Sequence, residues 1–194
     1  MLRAATLALA RQHVKGTARF LLAPLAPGTV GRADDLAMTL AAAGHRVERL
    51  DAAALRDRIP LLATPNVDAE DRTYLVVFGV DAASATLAAA DPVTFRSGHD
   101  DLRALLRLGP GHGVHLLGWW RGLRRLGEDL GGTQHRDDVA CLVALNVPGN
   151  DLGLHLGVHD LSYTPRAGRA LLVDRHEQRT SLIVPFVDDP DEQE

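Results

Sequence analysis

Apolar residues along the chain alternate between helical and strand spacing, and this alternation predicts the order of the elements. Five segments show helical spacing, at 2–14, 34–43, 52–63, 82–90 and 102–108. Short apolar runs follow most of them and predict strands at 18–23, 45–50, 73–80, 114–117 and 139–145. Helices that alternate with strands in this way predict an α/β fold, with a mostly parallel sheet and helices on both faces.

The strands differ in their expected positions within the sheet. Residues 73–80 form a continuous run rich in β-branched and aromatic residues, which is typical of a central strand buried on both faces. Residues 45–50 alternate polar and apolar, so we expect them nearer an edge. Residues 139–145 predict a further buried strand. Two runs at 169–173 and 181–186 predict a closing hairpin.

Turn signals organise the stretch from 102 to 123. Its leucine-rich helix must end at the glycine-rich turn 109–113, and an apolar strand follows at once. Trp119, Trp120 and Arg121 come directly after that strand and open a basic helix. In open α/β sheets, ligands bind outside the carboxyl ends of the strands, so we expect a site close to these three residues.

Length and composition limit the class of protein. The chain has 194 residues, enough for one α/β domain, which we predict over residues 1–187 with an acidic tail at 188–194. The net charge of -4 gives no overall attraction to nucleic acid. Cys141 is the single cysteine and lies in an apolar run, so we expect a small buried residue and a cytoplasmic location. No segment reaches transmembrane length.

The motifs of the common nucleotide sites are missing from the sequence. No Gly-rich turn ends in Lys-Ser or Lys-Thr, and no Gly-x-Gly-x-x-Gly follows a strand. Asp81 stands at the end of the central strand, as a Walker B aspartate would, where it would hold magnesium through a water. It can equally be the cap of the next helix, and Ala82 occupies the place of a hydrolytic glutamate.

Other polar residues give weaker signals. His112 with His115, and His155 with His159 and Asp160, have spacings that metal ligands can show, but solvated or hydrogen-bonded histidines explain them more simply, and we predict no metal site. Arginines 121, 124 and 125 fit a solvated helix face or a contact with phosphate or a neighbouring subunit. The tryptophan pair can stack on a base, but burial at a strand end is commoner.

Three stretches in this order resemble the carboxyl-terminal RecA-like module of FtsK/SpoIIIE-type ATPases. They are Thr73-Tyr-Leu-Val-Val-Phe-Gly-Val80, Leu105-Leu-Arg-Leu-Gly-Pro-Gly-His-Gly-Val-His115 with Trp119-Trp120, and Gly168-Arg-Ala-Leu-Leu172. The family comprises DNA translocases, with roles such as cell division, and the related motor of type VII secretion. The resemblance implies a P-loop fold, ATP and magnesium as cofactors, and other such modules, subunits or DNA as partners.

Departures from the family pattern indicate a degenerate member. Residues 2–14 correspond to the helix that follows the phosphate loop, so Met1 falls just after the expected Walker A motif. Asp81 matches the Walker B aspartate, and Arg121 lies near the family's sensor glutamine. The resemblance therefore implies a non-hydrolysing regulatory or scaffolding module of a DNA-translocation or secretion motor.

Two alternatives stay open from the sequence. The chain can be part of an active ATP-dependent DNA translocase whose phosphate loop lies upstream. It can also be an unrelated α/β protein-interaction domain. Trp119, Trp120 and Arg121 are candidates for the sensor position of the family or for a contact with another subunit.

Overall fold

A computed structural model describes residues 1–64, 71–159 and 161–185, so the predicted acidic tail lies outside the described residues. The helices are α1 (Leu2–Ala10), α2 (Val30–Ala42), α3 (Ala52–Ala63), α4 (Ser84–Ala88), α5 (Gly98–Leu108), α6 (Leu123–Asp129) and α7 (Gly149–Leu156). The strands are β1 (Ala18–Pro24), β2 (Arg46–Arg49), β3 (Arg72–Phe78), β4 (Val114–Trp119), β5 (Cys141–Ala144), β6 (Ala170–Asp174) and β7 (Arg179–Ile183). No helix in these ranges combines the length and apolar character needed to cross a bilayer.

The chain divides into two compact units, one formed by residues 2–121 and the other by residues from Gly122 onward. In the first unit four strands pair in parallel in the order β2-β1-β3-β4. This arrangement confirms the predicted α/β fold class and the central position of β3. It also confirms that β2 lies at an edge.

Alternating side chains of the parallel sheet pack into two separate cores. Leu21 and Leu75, which are paired in the register of β1 and β3, face the helices α3, α4 and α5. Phe20 and Tyr74, one position earlier, face α1 and α2. Since successive strand residues point to opposite faces, one continuous apolar run covers both cores, and helices lie on both sides of the sheet.

The second unit is antiparallel, with strand order β5-β6-β7. Strands β6 and β7 form the predicted hairpin. Four residues of the predicted run 139–145 form a strand, β5, which pairs with β6 in this sheet. The prediction that this strand is buried is wrong, because of its four residues only Ala144 is buried. An apolar run predicts a strand but not its partner.

Cys141 is exposed, in contrast to the burial expected from its apolar neighbours. Partial desolvation and the nearby Asp174 carboxylate raise the pKa of its thiol. The raised pKa lowers the fraction of reactive thiolate at neutral pH.

The observed helix ends agree with the predicted spans at some positions and differ at others. Asp51 caps α3, since its carboxylate accepts a hydrogen bond from the backbone N–H of Ala54 at 2.8 Å. The helix continues to Ala63 with Pro60 inside it, so this proline does not shorten it. Helix α1 ends at Ala10, four residues earlier than predicted.

Candidate functional site at the carboxyl ends of β3 and β4

The turn after β3 is built around Gly79. The carbonyl of Phe78 accepts hydrogen bonds from the backbone N–H groups of Leu25 and Ala26, at 3.1 and 2.8 Å. Gly79 has φ +85°, and a Cβ at this position would lie 2.5 Å from the Cβ of Ala26. Both the positive φ and the close approach of Ala26 require glycine at this position. The turn leads directly into a 3-10 helix over Val80–Ala83, which contains Asp81.

The end of β4 lies beside this turn. Phe78 and Trp119 are partners in the parallel register. The Trp120 ring lies over Gly118, where a Cβ would approach its Cζ3 atom to 2.4 Å. Trp120 is half-buried against the core on this face, while Trp119 is 37% exposed. Burial at the strand end therefore holds for Trp120 and not for Trp119.

Asp81 and Arg121 form an ion pair at the point where these two strands end. The Nε of Arg121 donates to Oδ2 of Asp81 at 2.7 Å, and the backbone N–H of Arg121 donates to Oδ1 at 3.4 Å. The Asp81 side chain is only 1% exposed, whereas the Arg121 side chain is 64% exposed. The structure thus brings together two residues that the sequence singled out separately, 40 positions apart.

The guanidinium and the backbone N–H of Arg121 contact the two carboxylate oxygens through which Asp81 would bind a cation. Both carboxylate oxygens receive an N–H group from Arg121, and a guanidinium stays charged at every physiological pH. A magnesium ion keeps several waters and needs an octahedral set of oxygens, for which a carboxylate buried to this degree offers little access. The residues in this arrangement do not fit a hydrated magnesium ion.

The histidine pairs do not form metal sites in the described part of the chain, where no three side chains of His, Cys, Asp or Glu are grouped to hold a metal. His115 instead stacks on the Tyr74 ring, with centroids 5.5 Å apart. The Tyr74 hydroxyl lies 2.7 Å from Nε2 of His13. Burial lowers the pKa of His115, and the charges of Arg72 and His13 lower it further. Asp160 lies outside the described residues.

Sequence reasoning missed a polar network at the start of α5. The buried carboxylate of Asp101 accepts a hydrogen bond from Nε of Arg96 at 2.8 Å and pairs with Arg56 at 3.5 Å. Arg56 also donates to the backbone carbonyl of Arg96, at 3.3 Å. The Ser-x-x-Asp spacing at Ser97 signals the helix start, but nothing in the sequence pairs Asp101 with an arginine 45 residues earlier.

Comparison with known proteins gives one structural likeness. No protein-family model and no curated protein sequence matches the chain. The cytoplasmic domain of the type VII secretion ATPase EccC from Thermomonospora curvata is similar in structure, with a TM-score of 0.61 at 17% sequence identity. The likeness covers 97% of this chain and 22% of that chain. In fold, this chain therefore resembles a part of that protein.

Proposed function

We propose that this chain is a non-hydrolysing module of a motor related to type VII secretion ATPases, with a scaffolding or regulatory role. The observation that carries the proposal is the ion pair between Asp81 and Arg121. An aspartate at the end of a central parallel strand is placed to hold the metal of a nucleotide. Here a fixed cation from the same chain compensates its charge.

The rest of the site supports the same conclusion. Residue 82 is alanine, so no carboxylate follows Asp81 to orient or activate an attacking water. The chain contains no Gly-x-x-x-x-Gly-Lys motif, whose backbone N–H groups and lysine would bind the phosphates. Each of the three parts of a phosphoryl-transfer site is therefore absent from this sequence or engaged in another interaction.

The structural likeness supports a motor related to type VII secretion ATPases. The EccC chain is much longer than this one, since the likeness covers 22% of it, so a domain of this shape there is joined to further domains. We infer that the partners of this chain are other modules or subunits of such an assembly. DNA as a partner has no support from the net charge of -4 or from the comparison.

ATP turnover by the purified full chain tests this proposal. With magnesium-ATP in excess we expect no phosphate release above the background, for the wild type or for Asp81→Ala. The matched control for handling is Arg124→Gln, which changes an arginine whose side chain is 81% exposed and which is not bonded to Asp81. Turnover by the wild type and the control that disappears in Asp81→Ala would overturn the proposal.

An active ATPase is the second candidate, because the chain spans 22% of the length of its structural neighbour and further segments can supply missing groups. In that case the phosphate loop comes from other polypeptide. Coding sequence directly upstream of Met1 that contains an in-frame Gly-Lys-Ser or Gly-Lys-Thr would favour this candidate. A longer protein that includes it should then hydrolyse ATP.

A further inference from the structure

The two edges of the parallel sheet differ in how they are protected. Strand β2 forms one edge and β4 the other. An edge strand presents unpaired backbone N–H and C=O groups that can pair with another chain, and proteins usually block such edges with charge, proline or a short strand. One edge of this sheet has those features and the other lacks them.

The β2 edge is short and charged. It has four residues, three of which are charged, and their side chains form ion pairs: Arg46 with Asp71, Glu48 with Arg19 and Arg58, and Arg49 with Asp34. Antiparallel pairing of two β2 strands about Glu48, with the outward-facing residues 47 and 49 opposite each other, would place the Glu48 carboxylates of the two copies opposite each other. Like charges directly opposite each other are destabilising, so the edge opposes self-pairing in this register.

The β4 edge carries neither charge nor proline over its six residues, Val-His-Leu-Leu-Gly-Trp. The backbone N–H of Thr73 in β3 donates to the carbonyl of Gly113, which fixes the odd-numbered residues as those that bond to β3. Because backbone polar groups alternate sides along a strand, those of Val114, Leu116 and Gly118 point away from the sheet. Within the described part of the chain, no backbone–backbone hydrogen bond joins them to another residue.

The side chains of β4 also remain incompletely buried. Residues 114–118 are all half-buried, while Leu75, Val76 and Val77 of the neighbouring β3 are buried. Val114 and Leu116 lie at the margin of one core and Leu117 at the margin of the other. A further apolar strand at this edge would remove apolar surface from water on both faces of the sheet.

We propose that β4 pairs with β4 of a second copy of this chain, antiparallel about Leu116, to join two four-stranded sheets. In this register Val114 lies opposite Gly118, His115 opposite Leu117 and Leu116 opposite its own counterpart. Val114 thus meets a glycine, the apolar Leu116 side chains meet each other, and no like charges face each other. The contact is isologous, because the same backbone groups donate and accept in both copies.

Amide hydrogen exchange resolved by residue, together with sedimentation velocity, tests this pairing on the full chain over about a hundredfold range of concentration. At low concentration the chain should sediment as a monomer, with fast exchange at Val114, Leu116 and Gly118 and slow exchange at His115 and Leu117. At high concentration it should sediment as a dimer, and exchange at the three outward amides should slow at least about tenfold.

Two matched valine-to-proline variants separate the edges. Val114→Pro removes an N–H that points to the second copy, at the first residue of β4, where an edge strand tolerates proline. Val47→Pro makes the same change at the β2 edge, since the N–H of Leu50 donates to Leu22 and residues 47 and 49 therefore point outward. We expect Val114→Pro to abolish the dimer and Val47→Pro to preserve it.

The remaining outcomes contradict the pairing. A chain that stays monomeric at every concentration would contradict it at any rate of exchange. If the three outward amides of that monomer also exchanged slowly, the β4 edge would be covered within one chain. A dimer in which these amides still exchange quickly, or one that Val47→Pro disrupts, would place the contact elsewhere. The wild-type exchange data decide the matter even if Val114→Pro does not fold.

Discussion

The parallel unit of residues 2–121 and the antiparallel unit that follows differ in the completeness of their cores. The parallel sheet has a core on each face, and residues such as Leu21, Leu75 and Val76 are fully buried. In the described part of the antiparallel unit, a smaller core consists of Ala144, Leu152, Leu156, Leu171 and Val173. Its last strand leaves Leu182 58% exposed.

This difference shows where the chain can hold a precise site. Hydrophobic stabilisation scales with the apolar area removed from water, so the unit with two cores is the more rigid support. Asp81 and Arg121 both belong to that unit. We therefore expect substitutions in the parallel unit to cost more stability than equivalent substitutions in the antiparallel unit.

The largest difference in stability between the two units should come from leucine-to-alanine substitutions, one in a core of the parallel unit and one in the core of the antiparallel unit. Leu75→Ala, at a fully buried position, should lower the free energy of unfolding by about 2–5 kcal/mol. Leu171→Ala, where the residue is 8% exposed in the smaller core, should cost about half as much. Urea titration followed by circular dichroism measures both. Equal costs would remove the distinction between the two units.

Two glycine-to-alanine substitutions should change the free energy of unfolding in opposite directions. Gly79→Ala should destabilise the chain by about 1–3 kcal/mol, because the backbone has a positive φ and Ala26 occupies the space of the new methyl group. Gly127→Ala, inside α6 with no atom within 4 Å of the added Cβ, should stabilise it by about 0.5–1 kcal/mol. Thermal unfolding measures both, and a gain from Gly79→Ala would contradict the described turn.

The smallest difference concerns helix caps. Ser97 and Asp100 form a capping box at α5, whereas Pro148 at the start of α7 makes no side-chain capping bond. Ser97→Ala should therefore cost about 1 kcal/mol at pH 7, and Pro148→Ala should cost less.

The contribution of the same capping box to stability depends on pH. Hydrogen bonds from the side chain and backbone of Ser97 lower the pKa of Asp100 from 3.8 to about 2. The stabilisation from this carboxylate is complete above pH 3.8 and is lost as the pH falls toward 2. Urea unfolding across this range should show a flatter pH dependence in Ser97→Ala. An unchanged dependence would mean that other groups set the acid stability.

Local patterns in the sequence were sufficient to predict which strands of the parallel sheet lie at its centre and which at its edge. The continuous apolar run of β3 predicted a central strand, and the alternation around Val47 predicted an edge strand. A strand buried on both faces is apolar at successive positions, whereas a strand buried on one face alternates apolar and polar residues. The apolar run around Leu142 predicted a strand but did not indicate that it pairs with β6, since strand pairing depends on contacts between residues distant along the chain.

The candidate site was predictable in its place but not in its chemistry. Strand ends of an open α/β sheet pointed to Asp81 and to the residues after β4. The bond from Arg121 to Asp81 depends on the side-by-side register of β3 and β4, which pairs Phe78 with Trp119. No local pattern specifies that register, so a metal-binding aspartate and an arginine-paired aspartate look alike in the sequence.

Calorimetric titration of the full chain with magnesium-ATP measures nucleotide binding without any need for turnover. We expect no heat of binding for the wild type, since Arg121 donates hydrogen bonds to both oxygens of the buried Asp81 carboxylate. Saturable binding by the wild type that is lost in Asp81→Asn would contradict this expectation.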